Sequence, residues 1–339
     1  MSLETVRWAV NLPLPGLSLR EHRRIVTALP DLGYRDVWTG EGGGLDAFTP
    51  LAAAAAWQPR LGLGTGVVPV LTRGPGVLAQ TAVALADLAG ADGVGGEGRV
   101  MLGIGTSVPT HVSALNGVPF DRPVARLRDT LRFLTRALRG EPVDTEYETF
   151  AVRGFQIPAT GVKVVLGALR PRMVRLALEE GDGFVTNLLT AADLSRVLAE
   201  AGPVQEGKEV VAKVFVCPTR DLAYARRAGR AFLGWILNQP PYRAFHDWLG
   251  RGDVLARSRE LFDAGDRRAA GLALPDDLVD ALWLSGPAPE LRERIAEFAR
   301  EGVTSVLIYV APTPELLSGR DSLASVLSEL RPAPRTSLT

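Results

Sequence analysis

Two apolar stretches decide the fold of this chain: LGLGTGVVPVLTRGP at Leu61 to Pro75 and RVMLGIGTSVP at Arg99 to Pro109. Each begins with an apolar run of the length of a buried strand, which ends in small residues and breaks into a loop. Glycine at a strand end allows a flat ring to approach closely, because glycine has no Cβ. The two stretches therefore predict a ligand site at the carboxyl ends of two parallel strands.

Similar apolar runs alternate with helical patterns along the whole chain. Eight strand candidates arranged in this way favour an α/β fold of the (β/α)8 TIM-barrel type over an open doubly wound sheet. The candidates are Val6 to Asn11, Asp36 to Thr39, Leu61 to Val68, Val100 to Gly103, Val162 to Gly167, Gly183 to Thr186, Val210 to Val216 and Val303 to Val310.

One interval is far longer than the others, and it separates the seventh and eighth strand candidates. We therefore predict a single TIM-barrel domain over residues 1–330, with a helical insertion at about 221–285. The glycine-rich segment GADGVGGEG at 90–98 predicts a surface insertion without chemistry. The tail at 331–339 is expected to be disordered.

Composition excludes several classes of protein. Lys+Arg and Asp+Glu both total 38, so no net charge attracts nucleic acid or an anionic membrane. No apolar run reaches the roughly 18 residues of a membrane span, and the amino terminus lacks a signal-peptide pattern. We expect a soluble, cytoplasmic protein with a small-molecule substrate. Cys217 is the only cysteine and there are three histidines, so neither a disulfide nor a metal site is expected.

Known nucleotide and hydrolase motifs do not account for the glycines. Gly62, Gly64 and Gly66 read G-x-G-x-G, which lacks a spacer of the dinucleotide fingerprint, and no acidic residue follows at the required distance. The P-loop, α/β-hydrolase and zincin motifs are also missing. Barrel enzymes place their active sites at the carboxyl ends of the strands, so the glycines point to that end.

Five segments, taken in order, resemble the bacterial luciferase-like flavin and deazaflavin oxidoreductases. They are LGLGTGVVPVLTRGPGVLAQTAVALADL, GRVMLGIGTS, RPVARLRDTLRFLTRALRGE, VVLGALRPRMVRLALEEGDGF and GPAPELRERIAEFAREGVTSVLI. Within that superfamily, LGTGV followed by P-x-x-T-R-x-P, together with YRAFHDWLG at Tyr242 to Gly250, is more similar to the branch that uses coenzyme F420.

The resemblance implies an oxidoreductase that transfers a hydride between coenzyme F420, a deazaflavin, and a small organic substrate. The expected reaction is reduction of an activated C=C, C=N or C=O group, or the reverse oxidation of an alcohol. Relatives imply a homodimer. Two alternatives stay open: an FMN-dependent luciferase-like monooxygenase and a non-catalytic flavin-binding relative.

The resemblance also assigns cofactor-binding residues. It implies a bulge with a non-prolyl cis peptide at Gly66 to Val67, behind the ring of the cofactor. It assigns the ring platform to Gly66, Val67, Pro69 and Thr72; the deazaflavin and ribityl chain to Thr106, Ser107 and Val108; and the phosphate to Gly167, Ala168 and Leu169, with Arg170 at the start of a helix. A helix amino terminus favours an anion through its free N–H groups and its dipole.

The chain departs from many of these relatives after the second strand. They carry an acidic residue followed by His, whereas here Glu41 is followed by Gly42. The proton donor is therefore open among Glu41, His111 and His246. Glu41 can orient a substrate, bond the cofactor, or act as a general acid if burial raises its pKa. The histidines can supply a proton near neutral pH.

Overall fold

Short apolar runs separated by helices form strands that pair in parallel, because each helix returns the chain to the end of the sheet at which the next strand begins. The fold is that of a computed structural model, which describes residues 6–42, 44–90, 99–319 and 322–331. Its strands are β1 Arg7–Asn11, β2 Asp36–Thr39, β3 Gly62–Thr65, β4 Val68–Pro69, β5 Val100–Gly105, β6 Val143–Glu146, β7 Ala151–Phe155, β8 Lys163–Gly167, β9 Gly183–Val185, β10 Glu209–Cys217, β11 Leu284–Ser285 and β12 Ser305–Val310.

Eight of the described strands close into a parallel barrel. They pair in the order β1, β2, β3, β5, β8, β9, β10 and β12, and β12 pairs back with β1. Strands β6 and β7 form a separate antiparallel pair outside the barrel. The sequence prediction of a (β/α)8 barrel is confirmed.

The third predicted strand is interrupted. Instead of one strand over 61–68, the chain forms β3 and then β4, which pairs with β5. The chain bulges between them, and the Thr65 hydroxyl replaces the missing backbone pairing: it accepts from the Gly103 N–H (2.7 Å) and donates to the Gly103 carbonyl (2.8 Å). The bulge leaves no buried backbone group of Gly103 without a partner.

The barrel interior is built in layers, as in other (β/α)8 barrels. At the amino end, Arg7 binds Asp36 and Glu209, and Lys163 binds Glu209. The middle of the barrel is apolar, and its buried side chains belong to Ala9, Trp38, Met101, Val165, Val185, Val211 and Leu307. Above them, inward positions at the carboxyl ends of the strands form the floor of the barrel mouth.

Helices surround the barrel and bury their apolar faces against the outward-facing strand residues. They are α1 His22–Ala28, α2 Phe48–Trp57, α3 Pro75–Gly90, α4 Pro123–Ala137, α5 Pro171–Glu180, α6 Ala191–Ala201, α7 Leu222–Ile236, α8 Pro240–Trp248, α9 Gly252–Asp263, α10 Arg267–Leu272, α11 Asp276–Leu282, α12 Ala288–Ala296, α13 Pro314–Leu317 and α14 Leu323–Leu330. A 3-10 turn over Leu19–Glu21 precedes α1, and a π-helical turn over Thr110–Ala114 follows β5.

The long interval between β10 and β12 is mostly helical. It contains α7 to α11, then β11 and α12. Its apolar residues form a second core with the upper end of β10, since Phe215 and Cys217 pack with Leu233, Leu282 and Trp283. These helices are thereby anchored beside the barrel mouth.

Two sequence predictions fall outside the described residues. Most of the predicted surface insertion at 90–98 does so, because the structure describes Gly90 and then resumes at Arg99. All but the first residue of the tail predicted at 331–339 does so as well. Among the helices that are described, none has the length and apolar character needed to cross a membrane.

Candidate active site

The bulge after β3 lies at the barrel mouth. The Gly66–Val67 peptide bond is cis, as the resemblance implied. Neighbouring backbone holds the bulge in place, because the Gly66 N–H donates to the Thr39 carbonyl (2.6 Å) and the Glu41 N–H donates to the Val67 carbonyl (3.1 Å). The Val67 side chain packs on the apolar middle layer of the barrel and stays part-exposed. Val67 thus presents an apolar surface at the mouth.

Glycine on the adjacent strands leaves the space that Val67 occupies. A Cβ at Gly105 would lie 2.6 Å from Val67 Cγ2, and one at Gly167 would lie 3.0 Å from Val67 Cγ1. A Cβ at Gly40 would lie 2.9 Å from the Gly66 carbonyl oxygen. The strand-end glycines are therefore required by packing around the bulge, in addition to any role in ligand approach.

The other residues assigned to the ring and the ribityl chain flank the bulge. Pro69 lies in β4 beside Gly105, and the Thr72 hydroxyl donates to the Pro69 carbonyl (3.2 Å). Thr106, Ser107 and Val108 follow β5 directly, and Ser107 has a left-handed backbone with φ of 58°. The fold brings these segments to one side of the mouth.

The predicted phosphate site lies at the end of β8. Gly167 ends this strand, Ala168 donates its N–H to the Val185 carbonyl, and Arg170 is the residue before α5. The exposed Arg170 has no ion pair within the described residues, whereas the Arg175 guanidinium, one turn later, donates to the Glu200 carbonyl (3.0 Å). An anion at this helix terminus would meet free N–H groups and Arg170.

Glu41 lies next to the bulge and is held by an arginine. Its Oε1 accepts from Arg73 Nε (2.9 Å) and Nη2 (2.5 Å), and its side chain is only 12% exposed. The Arg73 guanidinium also lies 5.0 Å from the centre of the Phe48 ring. This geometry gives Glu41 a partner other than a substrate, which favours a positioning role for the pair over proton donation by Glu41.

The two histidines lie in different surroundings. His111 is half-buried in the π-helical turn after β5. His246 lies in α8 with 0% exposure, and burial together with Arg251 lowers its pKa to about 4. A neutral histidine without access to solvent is a poor proton donor near neutral pH. The geometry therefore argues against the predicted role of His246.

Sequence reasoning missed Lys213. This residue faces inward from β10, one inward step above Val211, and its Nζ lies 5.3 Å from the Phe215 ring centre and 5.9 Å from that of Tyr309. Burial lowers the pKa of Lys213 to about 8. The signal that could have identified it is a lysine at an inward position of the otherwise apolar run VVAKVFVC, in a chain with only three lysines.

Aromatic and amide groups form the wall near Lys213. Phe215 lies 5.0 Å from Tyr309 and 5.2 Å from Phe232, measured between ring centres. After β9, the Asn187 amide donates to the Tyr242 hydroxyl (2.5 Å), while Asn187 Oδ1 is buried without a partner in the described residues. Cys217, further along β10, is buried and its pKa is raised to about 11, as expected of a structural cysteine.

Comparison with known proteins assigns the chain to a family. The family model of the luciferase-like monooxygenases matches residues 6–305. A Mycobacterium tuberculosis protein, provisionally named as a coenzyme F420-dependent oxidoreductase, is 28% identical over 325 residues, covering 85% of this chain and 90% of that protein. The 5,10-methylenetetrahydromethanopterin reductase of Archaeoglobus fulgidus is 25% identical over 308 residues, covering 87% of this chain and 90% of the reductase.

A solved structure supports the same fold. The coenzyme F420-dependent tetrahydromethanopterin reductase of Methanopyrus kandleri superposes with a TM-score of 0.73 at 19% identity, covering 96% of this chain and 97% of the reductase. The resemblance inferred from the sequence is confirmed at the level of the family. On the extent of the match, the chain belongs to the luciferase-like monooxygenase family.

Proposed function

We propose that this chain is an oxidoreductase that transfers a hydride between coenzyme F420 and a small organic substrate. The observation that carries the proposal is the bulge at Val67, which offers an apolar surface at the barrel mouth between glycine-lined strands. The names of two relatives add support, since one refers to coenzyme F420 and the other to reduction of a small molecule.

The residues present fit such a cofactor. Val67, Pro69 and Thr72 would lie behind the ring, and Thr106, Ser107 and Val108 would line its ribityl chain. Gly167, Ala168, Leu169 and Arg170 would hold the phosphate at the start of α5. When bound, coenzyme F420 supplies hydride chemistry at a ring carbon, in place of the oxygen-reactive nitrogen of a flavin.

The protein's own contribution is orientation and exclusion of water. The bulge fixes the height of the ring, because Val67 rests on a packed layer of side chains. The Glu41–Arg73 pair holds the loops after β2 and β4 together. Phe215, Tyr309 and the helices after β10 wall the opposite side of the mouth, where an apolar substrate would bind.

The test is a titration of the purified protein with coenzyme F420 and with FMN, followed by cofactor fluorescence. We expect F420 to bind and FMN to bind at least tenfold more weakly. The variant Arg170→Gln should weaken F420 binding roughly three- to tenfold through loss of one phosphate contact. Arg175→Gln, on the same helix but bonded to Glu200, is the matched control and should bind as the wild type does.

Two results would contradict this proposal. Tight binding of FMN without binding of F420 would favour an FMN-dependent monooxygenase. Binding of F420 without turnover of any enone, imine, ketone or alcohol would favour a non-catalytic relative. The homodimer expected from the resemblance stays a prediction.

A further inference from the structure

Lys213 lies in the same layer of the barrel as the bulge. Counting along the strand pairings, the inward positions one step above Ala9, Gly64, Val165 and Val211 form one layer, whose members are Asn11, Gly66, Gly167 and Lys213. Strands β3 and β10 are the third and seventh of the eight barrel strands, so they stand on opposite sides of the mouth. Lys213 therefore lies on the side of the mouth opposite the bulge.

The ammonium group of Lys213 has no carboxylate partner. Within the described residues it forms no ion pair, and desolvation alone accounts for the change in its pKa. Its neighbours are the rings of Phe215 and Tyr309, one inward step nearer to the carboxyl end, so the side chain rises toward the mouth. A half-buried cation without a carboxylate partner is costly to a fold, which makes Lys213 a candidate for function.

The titratable groups on the elements around Lys213 are two tyrosines and two paired carboxylates. Tyr309 lies on β12, and Tyr242 of α8 is bonded to Asn187 at the end of β9. Burial raises the pKa of both tyrosines. Across the mouth, Glu41 is paired with Arg73, and below on the same strand Glu209 is paired with Arg7 and Lys163. None of these groups is placed to neutralise Lys213.

We propose that Lys213 is the proton donor of the reaction and that the group it serves is the oxygen of a ketone or aldehyde. This proposal rests on the proposed function, from which the hydride comes. In the step, the hydride forms a C–H bond at the carbonyl carbon, the C=O π bond breaks, and its electron pair takes a proton from Nζ. The product is an alcohol, and the neutral amine regains a proton from water.

The chemistry of an ammonium group selects this substrate class. An ammonium group has three donors and no acceptor, so it requires a ligand atom with lone pairs. The alkene carbon that is protonated when an activated C=C group is reduced has no lone pair, and a C=N group that is protonated before it accepts the hydride would repel a second cation. The aromatic wall of Phe215, Phe232, Trp283 and Tyr309 favours a carbonyl compound with an apolar body.

The first test needs no turnover. Protein carrying lysine labelled with 13C at Cε should give three signals, one for each lysine, which are followed by NMR from pH 6 to pH 11. One signal should titrate near pH 8, and that signal should be missing from Lys213→Met. If the signal that Lys213→Met lacks has a midpoint near the ordinary lysine pKa of 10.5, the proposal is overturned.

The second test separates proton donation from charge. With reduced F420 and a panel of ketones and aldehydes such as cyclohexanone and benzaldehyde, the wild-type kcat should fall about tenfold per pH unit above pH 8. Lys213→Met should lose roughly 100- to 10,000-fold in kcat with unchanged affinity for F420. Lys213→Arg keeps the charge but holds its proton, so it should be slow and should lack the decline near pH 8.

The outcomes distinguish this proposal from the function on which it rests. If F420 does not bind to the wild type, the proposed function fails, whatever the NMR titration gives. If F420 binds and Lys213→Arg retains the wild-type rate and pH profile, only the role of Lys213 as proton donor is wrong. Turnover of enones or imines in the absence of any ketone or aldehyde substrate would contradict the substrate class.

Discussion

The two ends of the barrel each hold an inward-facing lysine, in opposite circumstances. At the amino end, Lys163 Nζ lies 2.6 Å from Glu209 Oε1, and Arg7 binds the other oxygen of the same carboxylate at 2.6 Å. At the carboxyl end, Lys213 lies next to aromatic rings, and no carboxylate of the described residues pairs with it. The same residue type is thus satisfied at one end and left available at the other.

The contrast between the two lysines indicates that the amino end of the barrel serves stability and the carboxyl end serves ligand binding. Burial would raise the pKa of Glu209, but Arg7, Lys163 and Thr304 lower it below its usual range, so the amino-end carboxylate is held in its charged form. This arrangement closes the barrel with paired charges. The carboxyl end has a cation without a carboxylate partner in the described residues, an apolar bulge and bare glycine backbone, and these features suit a ligand.

Removing the shared carboxylate at the amino end should have the largest effect on stability. Glu209→Gln removes a buried carboxylate, leaving Lys163 with a neutral partner and Arg7 with Asp36 as its carboxylate partner, and we expect a loss of about 4 kcal/mol in the free energy of unfolding. Denaturation by urea measures this loss. F420 affinity of the folded variant should be unchanged, because the charged layer lies at the end of the barrel away from the mouth.

The pH dependence sharpens this expectation. Since the pKa of Glu209 is lower in the folded chain, its contribution is present above the unfolded pKa of about 4.5 and is lost as pH falls below that value. Wild type should therefore lose stability more steeply than Glu209→Gln in this range. Glu206→Gln, an exposed neighbour on the chain, is the control. If Glu209→Gln and Glu206→Gln are equally stable, the paired charges at the amino end do not stabilise the fold, and the contrast between the two ends of the barrel is wrong.

Much of the fold could be predicted from the sequence because it depends on local patterns. Apolar runs of strand length alternating with helical periodicity leave few architectures, and the barrel follows. The interruption of the third strand could not be derived in this way. It depends on Thr65 bonding Gly103 across the sheet, and that contact joins residues far apart in the chain.

The candidate site was predicted only in part, for a related reason. Val67 was proposed from the resemblance to the family, and Glu41 was proposed because the chain departs from many relatives directly after it. Lys213 was missed because its significance depends on what surrounds it, and no sequence pattern states that a lysine lacks a partner. His246 was proposed as a histidine in the insertion expected to cover the barrel mouth, whereas its burial is a property of packing between helices.

A substitution at the glycine backbone beside the bulge is the second test of the contrast between the two ends of the barrel. A Cβ at Gly103 would lie 1.8 Å from the Thr65 carbonyl oxygen, so Gly103→Ala must displace the bulge. We expect a loss of about 3 kcal/mol in the free energy of unfolding and at least tenfold weaker F420 binding. Gly74→Ala is the control, since nothing lies within 4 Å of its added Cβ. If both variants bind F420 equally, the bulge is not the platform for the cofactor.

The same substitution at the two lysines should have opposite signs. Lys163→Met removes one partner of Glu209, which keeps Arg7, and should lower the free energy of unfolding by about 1 kcal/mol. Lys213→Met should raise it by on the order of 2 kcal/mol. Each unit by which burial lowers the pKa of a cation costs about 1.4 kcal/mol, and part of this cost is removed by the exposed fraction of the side chain.

The dependence of this gain on pH identifies its cause. The folded chain releases the Lys213 proton near pH 8, whereas the unfolded chain keeps it to about pH 10.5, so wild-type stability should rise between these values. The advantage of Lys213→Met should therefore shrink over the same range, as measured by urea denaturation at each pH. A gain that is constant with pH would come from packing of the methionine. A loss of stability would mean that Lys213 is held by interactions as favourable as those of Lys163, and the contrast between the two ends would be wrong.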